Sequence, residues 1–210
     1  MLSKISSTAE LNFGLILSLT RNIVAYHNAT LKTKKFNRYL FKTFQLKSMT
    51  LGIIGMGRIG KKINQYAKAF GIKILHYDIK KKSSKTSLNY LLKNSDILTI
   101  NTNSDELIIT KRNYQKLKNG SYIINTSRGE QVDEKIIYKL LKTKKINGYA
   151  CDVLNYNFEK YGIIKSMIYK AASEGLNVII TPHIGGSTVD AMKYAEEKMA
   201  NYFIKKAIIR

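Results

Sequence analysis

Thr50-Leu51-Gly52-Ile53-Ile54-Gly55-Met56-Gly57-Arg58-Ile59-Gly60 is the stretch from which the rest of the chain can be read. A short apolar run ends in glycine, and Arg58 to Phe70 then reads as a helix closed by Gly71. In the spacing Gly55-x-Gly57-x-x-Gly60, the first glycine can make a tight turn. The second lets backbone approach a pyrophosphate, and the third allows close helix–strand packing. The positive end of the helix dipole favours the phosphates. Asp78 closes the next predicted strand, Ile72 to Tyr77. A carboxylate there accepts hydrogen bonds from an adenosine ribose and repels a 2′-phosphate, which favours NAD over NADP. Lys80, Lys81 and Lys82 work against that preference. The alternative is a structural glycine turn followed by a surface aspartate.

Working outward, strands and helices alternate. Ser87 to Lys93 reads as a helix, Asp96 to Asn101 as a strand, and Lys111 to Leu117 as a helix. Ser121 to Asn125 is a strand, Asp133 to Lys142 a helix, and Ile146 to Val153 a strand. Asn177 to Thr181 is a last strand, and Val189 to Ile204 a long helix. This alternation predicts βαβ units: an α/β fold of Rossmann type, a doubly wound parallel sheet. Right-handed crossovers put the strand C-termini on one edge, where ligands bind. Upstream, Ser7 to Asn28 has apolar residues at helical spacing (Leu11, Leu15, Ile16, Leu19, Ile23), with Ser7 and Glu10 spaced as a capping box. A basic connector, Lys32 to Lys47, carries Phe36, Tyr39, Phe41 and Phe44. The organisation expected is residues 1–48 as an N-terminal helix and connector, 49–188 as the NAD-binding domain and 189–210 as a C-terminal helix.

The chain has 210 residues and is 44% hydrophobic, enough for one domain with a sizeable core. Its formal charge of +22 raises a nucleic-acid reading. Only six of the 36 basic residues are arginine, the lysines are scattered among Ile and Asn, and no nucleic-acid motif appears, so specific nucleic-acid binding is not expected. The most apolar early window, Ala9 to Ala25, is broken by Glu10, Asn12 and Arg21 and is too short to span a bilayer. A single cysteine, Cys151, excludes an internal disulfide and suits a reducing compartment. A cytoplasmic location without membrane association is the expectation. No metal-ligating set stands out.

Two further segments begin at predicted strand ends. Asn125-Thr126-Ser127-Arg128-Gly129 offers a guanidinium able to grip a carboxylate by two parallel hydrogen bonds. The alternative is a surface arginine paired with Glu130 or Asp133. Thr181-Pro182-His183-Ile184-Gly185-Gly186-Ser187-Thr188 sets a histidine in a glycine-rich loop, where it can exchange a proton near neutral pH. His27, His76 and Cys151 read as structural.

The three segments together resemble the nucleotide-binding domain of the D-isomer-specific 2-hydroxyacid dehydrogenases, the family that includes phosphoglycerate dehydrogenase. The likeness also takes in Ala9-Glu10-Leu11, Thr20-Arg21-Asn22-Ile23, Tyr77-Asp78, Ser95-Asp96-Ile97-Leu98 and Cys151-Asp152-Val153. It implies an NAD-dependent oxidoreductase acting on the CH–OH group of a small D-2-hydroxy acid, or reducing the 2-oxo acid. By resemblance, Gly55, Gly57, Arg58, Ile59 and Gly60 hold the pyrophosphate and Asp78 the ribose. Thr102, Thr126, Ser127, Arg128, Asp152, His183, Gly185 and Gly186 line the cofactor, with Asp152 near the nicotinamide amide. Arg128 orients the 2-oxo acid and His183 transfers the proton.

The chain departs from the family pattern in two respects. Where the family carries a catalytic glutamate five residues after the Asp152 position, this chain has Asn157, followed by Phe158; Glu159 lies close by. Asparagine can hydrogen-bond to a histidine but brings no charge, so slower turnover is expected. In addition, Asn103 stands where proline is common. The family also builds its substrate domain mostly from residues before the nucleotide domain, whereas Ala9 lies close to the start here. The expectation is therefore a substrate domain largely missing, and either a shortened or fragmentary dehydrogenase or a catalytically weak NAD-binding module. The family's two-fold pairing implies a homodimer, formed through the N-terminal helix and the aromatic connector, which have no predicted place in a bare Rossmann core.

Overall fold

The computed structural model describes residues 5–78, 86–104, 106–155 and 162–208. Six strands form one sheet: β1 (Thr50–Ile54), β2 (Lys73–Tyr77), β3 (Ile97–Ile100), β4 (Ser121–Asn125), β5 (Ile146–Cys151) and β6 (Val178–Ile180). Their order is β2-β1-β3-β4-β5-β6, and every pairing is parallel. The central strands β1, β3, β4 and β5 are almost continuously apolar and buried, as strands covered on both faces must be.

Two helical layers cover the sheet. On one face, Leu51, Ile53, Ile97, Tyr122, Ile124 and Ala150 pack against α1 (Ser7–Thr20) and α3 (Arg58–Ala69). On the other, Ile54, Leu98, Ile100, Ile123, Tyr149 and Cys151 pack against α4 (Leu88–Asn94), α5 (Glu134–Lys142) and α6 (Met167–Ser173). Side-chain caps start the helices of this second layer. Ser87 accepts from Tyr90 N, Asp133 from Lys135 N and Ile136 N, and Ser166 from Ile168 N and Tyr169 N. Gly71, at φ +68°, ends α3: its N–H bonds Lys68 O, and that of Ile72 bonds Ala67 O.

The doubly wound parallel sheet stands as read from the sequence, with four local differences. The single helix expected over Ser7 to Asn28 is two helices, α1 and α2 (Ile23–Thr33). The Thr20 hydroxyl donates back to Ile16 O, and Asn22 takes the left-handed conformation at φ +52°, a shape asparagine tolerates better than most residues. The cap of α1 is Ser6 rather than Ser7, and the Ser6 hydroxyl bonds Glu10. Lys111 to Leu117 is not an α-helix. The Asn113 side chain accepts Thr110 N and donates to Ile108 O, which leaves only a 3-10 turn at Tyr114–Lys116. Helix α6 carries no sequence assignment and is announced only by its Ser166 cap.

Helix α1 has a place in the core. Phe13, Leu15, Ile16 and Leu19 are buried against the sheet, whereas α2 buries none of its residues. Helix α7 (Val189–Ile208) follows β6. No helix among the described residues is long and apolar enough to cross a membrane.

Candidate functional site

The register aligns Tyr77, Ile54, Ile100, Asn125, Cys151 and Ile180 across the six strands. The next residue of each strand therefore forms a second row along the C-terminal edge: Asp78, Gly55, Asn101, Thr126, Asp152 and Thr181. The three decisive segments all cross this row, at the ends of β1, β4 and β6.

The glycine loop opens a cavity of about 670 Å³ between Gly55, Gly57, Arg58, Asp78, Asn101 and Thr102. Gly55 sits at φ +93°, and a Cβ there would lie 2.6 Å from Asn101 O. A Cβ on Gly60 would lie 2.0 Å from Gly55 O, so the helix can approach the strand only as glycine. Gly57 differs, because a Cβ on it would meet nothing within 4 Å. The fold itself does not need that glycine, and without a side chain the backbone there stays open to a close approach. Gly57 caps α3, so the first helical amides face the cavity. Ile59 packs inward with Met56 and offers its amide rather than its side chain. Lys61 and Lys62 also line the cavity and add positive charge. The Asp78 carboxylate accepts the Met56 N–H at 3.0 Å, tying the loop to the end of β2. Open backbone at a helix start, positive charge and an aspartate on the neighbouring strand fit a dinucleotide's pyrophosphate and ribose.

Past β3, the Thr102 hydroxyl accepts Ser104 N, and Gln131 donates to Thr102 O at 2.9 Å and to Ser104 O at 2.7 Å. Gln131 is fully buried, and sequence reasoning missed it. At the end of β4, Asn125 folds the chain on itself. Its side chain accepts Ser127 N and donates to Arg128 O. The Ser127 hydroxyl turns inward and donates to Ile100 O at 3.0 Å. The Thr126 hydroxyl accepts from Asn12 Nδ2 at 2.8 Å. Arg128 is exposed, and its Nη1 donates to Ser127 O at 2.8 Å. Among the described residues it forms no ion pair with Glu130 or Asp133, so the surface-pair alternative does not describe it.

His183 lies exposed at φ +58°, in the left-handed region that few residues other than glycine adopt, histidine more readily than most. The loop after it is anchored from beneath. The Asp152 carboxylate, 2% exposed, accepts the Thr181 hydroxyl at 2.6 Å, Ile184 N at 2.9 Å and Gly185 N at 2.8 Å. The Thr8 hydroxyl donates to Gly185 O at 2.9 Å. A Cβ on Gly185 would lie 2.9 Å from the Asp152 carboxylate, whereas Gly186 faces open space. Asp152 thus spends its oxygens on the loop that carries His183. Asn157, Glu159 and Lys80 to Lys82 lie outside the described residues. The buried Glu134 accepts Asn155 N, the Ser166 hydroxyl and Met167 N.

Residues 13–185 match the family model of the D-isomer specific 2-hydroxyacid dehydrogenase, NAD binding domain. The chain belongs to this family. It is 36% identical over 214 residues to the D-3-phosphoglycerate dehydrogenase of Methanocaldococcus jannaschii, covering 96% of this chain and 39% of that protein. It is 34% identical over 195 residues to the hydroxypyruvate reductase of Thermotoga maritima, covering 89% of this chain and 62% of that protein. The structure superposes on the D-lactate dehydrogenase of Aquifex aeolicus complexed with NAD and lactic acid. That match has a TM-score of 0.77 and 31% identity, and covers 96% of this chain and 67% of that one. A D-2-hydroxyisocaproate dehydrogenase gives a TM-score of 0.83 at 26% identity, covering 96% and 67%. The chain therefore carries the family's NAD-binding domain and spans less than two thirds of the length of the two curated relatives.

Proposed function

We infer that the protein acts in the NAD-dependent oxidation of a D-2-hydroxy acid, or the reverse reduction of a 2-oxo acid. The observation that carries this reading is the shared sheet edge. Arg128 and His183 follow β4 and β6 of the same edge whose β1 end carries the glycine loop. Bound NAD(H) supplies the hydride acceptor or donor. Arg128, exposed beside Thr126, binds the substrate carboxylate by two parallel hydrogen bonds and holds the 2-carbon for attack. His183 gives a proton to the 2-oxygen in reduction and removes it in oxidation. Exposed apolar side chains on α2 and the connector, among them Val24, Leu31, Phe36, Tyr39 and Phe44, support a homodimer formed through that face. The buried free Cys151 suits a reducing, cytoplasmic setting.

A second reading, an NAD-binding module of little catalytic power, is favoured by Asn157 at the position where the family carries glutamate. One set of measurements separates the two. NADH binding is followed by fluorescence titration, then a panel of 2-oxo acids is offered, with Arg128→Ala as control. Turnover that Arg128→Ala abolishes while NADH still binds is the expected result. Tight NADH binding without turnover at high protein concentration selects the second reading, and no NADH binding overturns both.

A further inference from the structure

Helix α1 buries four large apolar side chains and, among them, one amide. Asn12 is fully buried. Its Nδ2 donates to the Thr126 hydroxyl at 2.8 Å and lies 3.4 Å from Asn101 Oδ1. Its Oδ1 accepts the Thr99 hydroxyl at 3.0 Å, and that hydroxyl in turn accepts from Asn101 Nδ2 at 3.1 Å. One side chain on a helix therefore bonds the ends of two adjacent strands, β3 and β4, beside the gap between β1 and β3 where the strand order reverses. Stability alone does not call for this. A buried amide gains only about 1 kcal/mol per hydrogen bond, and replacing polar partners by apolar groups of like shape is nearly neutral. What the amide adds is direction. Because Thr126 accepts from Asn12, its own proton is left for another acceptor, and no described residue takes it.

We propose that Asn12 is a positioning residue of the cofactor site, fixing the Thr126 hydroxyl as a donor toward the nicotinamide half of the bound dinucleotide. The proposal rests on the reading of this sheet edge as the NAD site. Its specificity comes from the topology. Asp78 and the glycine loop lie at β2 and β1, whereas Thr126 lies at β4, three strand spacings or about 14 Å from β2. A dinucleotide laid across the switch point puts its adenosine diphosphate half on β1 and β2 and its other half on β3 to β5. Asn12 then acts chiefly on that other half, through the 2.8 Å bond to Thr126; its contact with Asn101, which lines the glycine-loop cavity, is the longer one at 3.4 Å.

The test compares two probes, NADH and ADP, on the full chain and on Asn12→Leu, with folding checked by circular dichroism. The expected result is NADH affinity reduced between about threefold and tenfold, the worth of one misdirected hydrogen bond, with ADP affinity unchanged. In a Thr126→Val background, Asn12→Leu should cost no further NADH affinity. If leucine blocks folding, Asn12→Ala is read the same way. Equal losses for NADH and ADP would mark Asn12 as merely structural and overturn the proposal, as would unchanged NADH affinity. If the unmodified chain binds neither probe, the reading of the NAD site fails and this proposal fails with it. If it binds both while Asn12→Leu behaves like the unmodified chain, the proposal alone fails.

Discussion

Asp152 accepts the backbone N–H of Gly185 at 2.8 Å, and that bond, with its twin from Ile184, suspends the peptide that follows His183. The histidine sits in left-handed backbone at φ +58°, and residues in that region persist only when their surroundings over-determine them. The buried carboxylate with three donors supplies that constraint.

Replacing it tests the point. Asp152→Asn removes one acceptor oxygen and sets an NH2 group against backbone donors. We expect a stability loss of about 1–3 kcal/mol in urea unfolding. Amide hydrogen exchange at Ile184 and Gly185 should accelerate more than at β3. Unchanged exchange at those two amides would remove Asp152 from this role.

The glycine loop yields a contrast between two neighbours. Gly60→Ala would put a methyl 2.0 Å from a backbone oxygen and should cost at least about 2 kcal/mol of stability. Gly57→Ala enters open space at φ −74°, so stability should stay within about 0.5 kcal/mol while NADH affinity falls. A Gly57→Ala chain that binds NADH as well as the native chain would show that no phosphate approaches there.

Cys151 should be chemically silent. Burial, with Glu134 adding to it, pushes its thiol far above the ordinary range, and the thiolate is the reactive species. A thiol-labelling reagent at neutral pH should react only as urea unfolds the chain. Rapid stoichiometric labelling of the native protein would contradict the buried assignment.

Acid should loosen the α5–α6 contact in a defined direction. The Tyr138 hydroxyl donates to Glu174, and this bond, ahead of the Lys142 pair at 3.3 Å, holds the Glu174 carboxyl below its usual value. A carboxyl so lowered stabilises the fold above its unfolded value of about 4.3, and that contribution is lost as pH falls through the folded value. Glu174→Gln should therefore melt lower than the native chain at neutral pH, with the difference shrinking toward zero as pH falls through the folded value. A difference independent of pH would show that the charge is not its source.

What could be read from the sequence was whatever is encoded locally. Gly55, Gly57 and Gly60 announce strand, turn and helix because each restriction acts over a few residues, and Asp78 falls at a strand end that the alternation already marks. Arg128 and His183 are legible for the same reason, each lying just past an apolar run. Asn12, Gln131 and Glu134 are not, because their partners are distant in sequence and each looks like an ordinary polar helix or loop residue. The Asp152 clamp is half legible: resemblance singles the residue out, but only the folded chain shows its oxygens holding the His183 loop. The break at Asn22 and the turn at Asn113 escape a periodicity argument because single side chains compete with the helix for backbone partners.

Helix α1 meets its sheet partners across long stretches of chain, with 114 residues separating Asn12 from Thr126. During synthesis, α1 is therefore made well before its partners: Phe13 waits for Tyr66 and Phe70 at the end of α3, and the face that carries Ile16 and Leu19 is closed only when β4 and β5 emerge. Closing so long a loop is slow, so the time between translation and burial is when this chain is most exposed to aggregation and most open to chaperones.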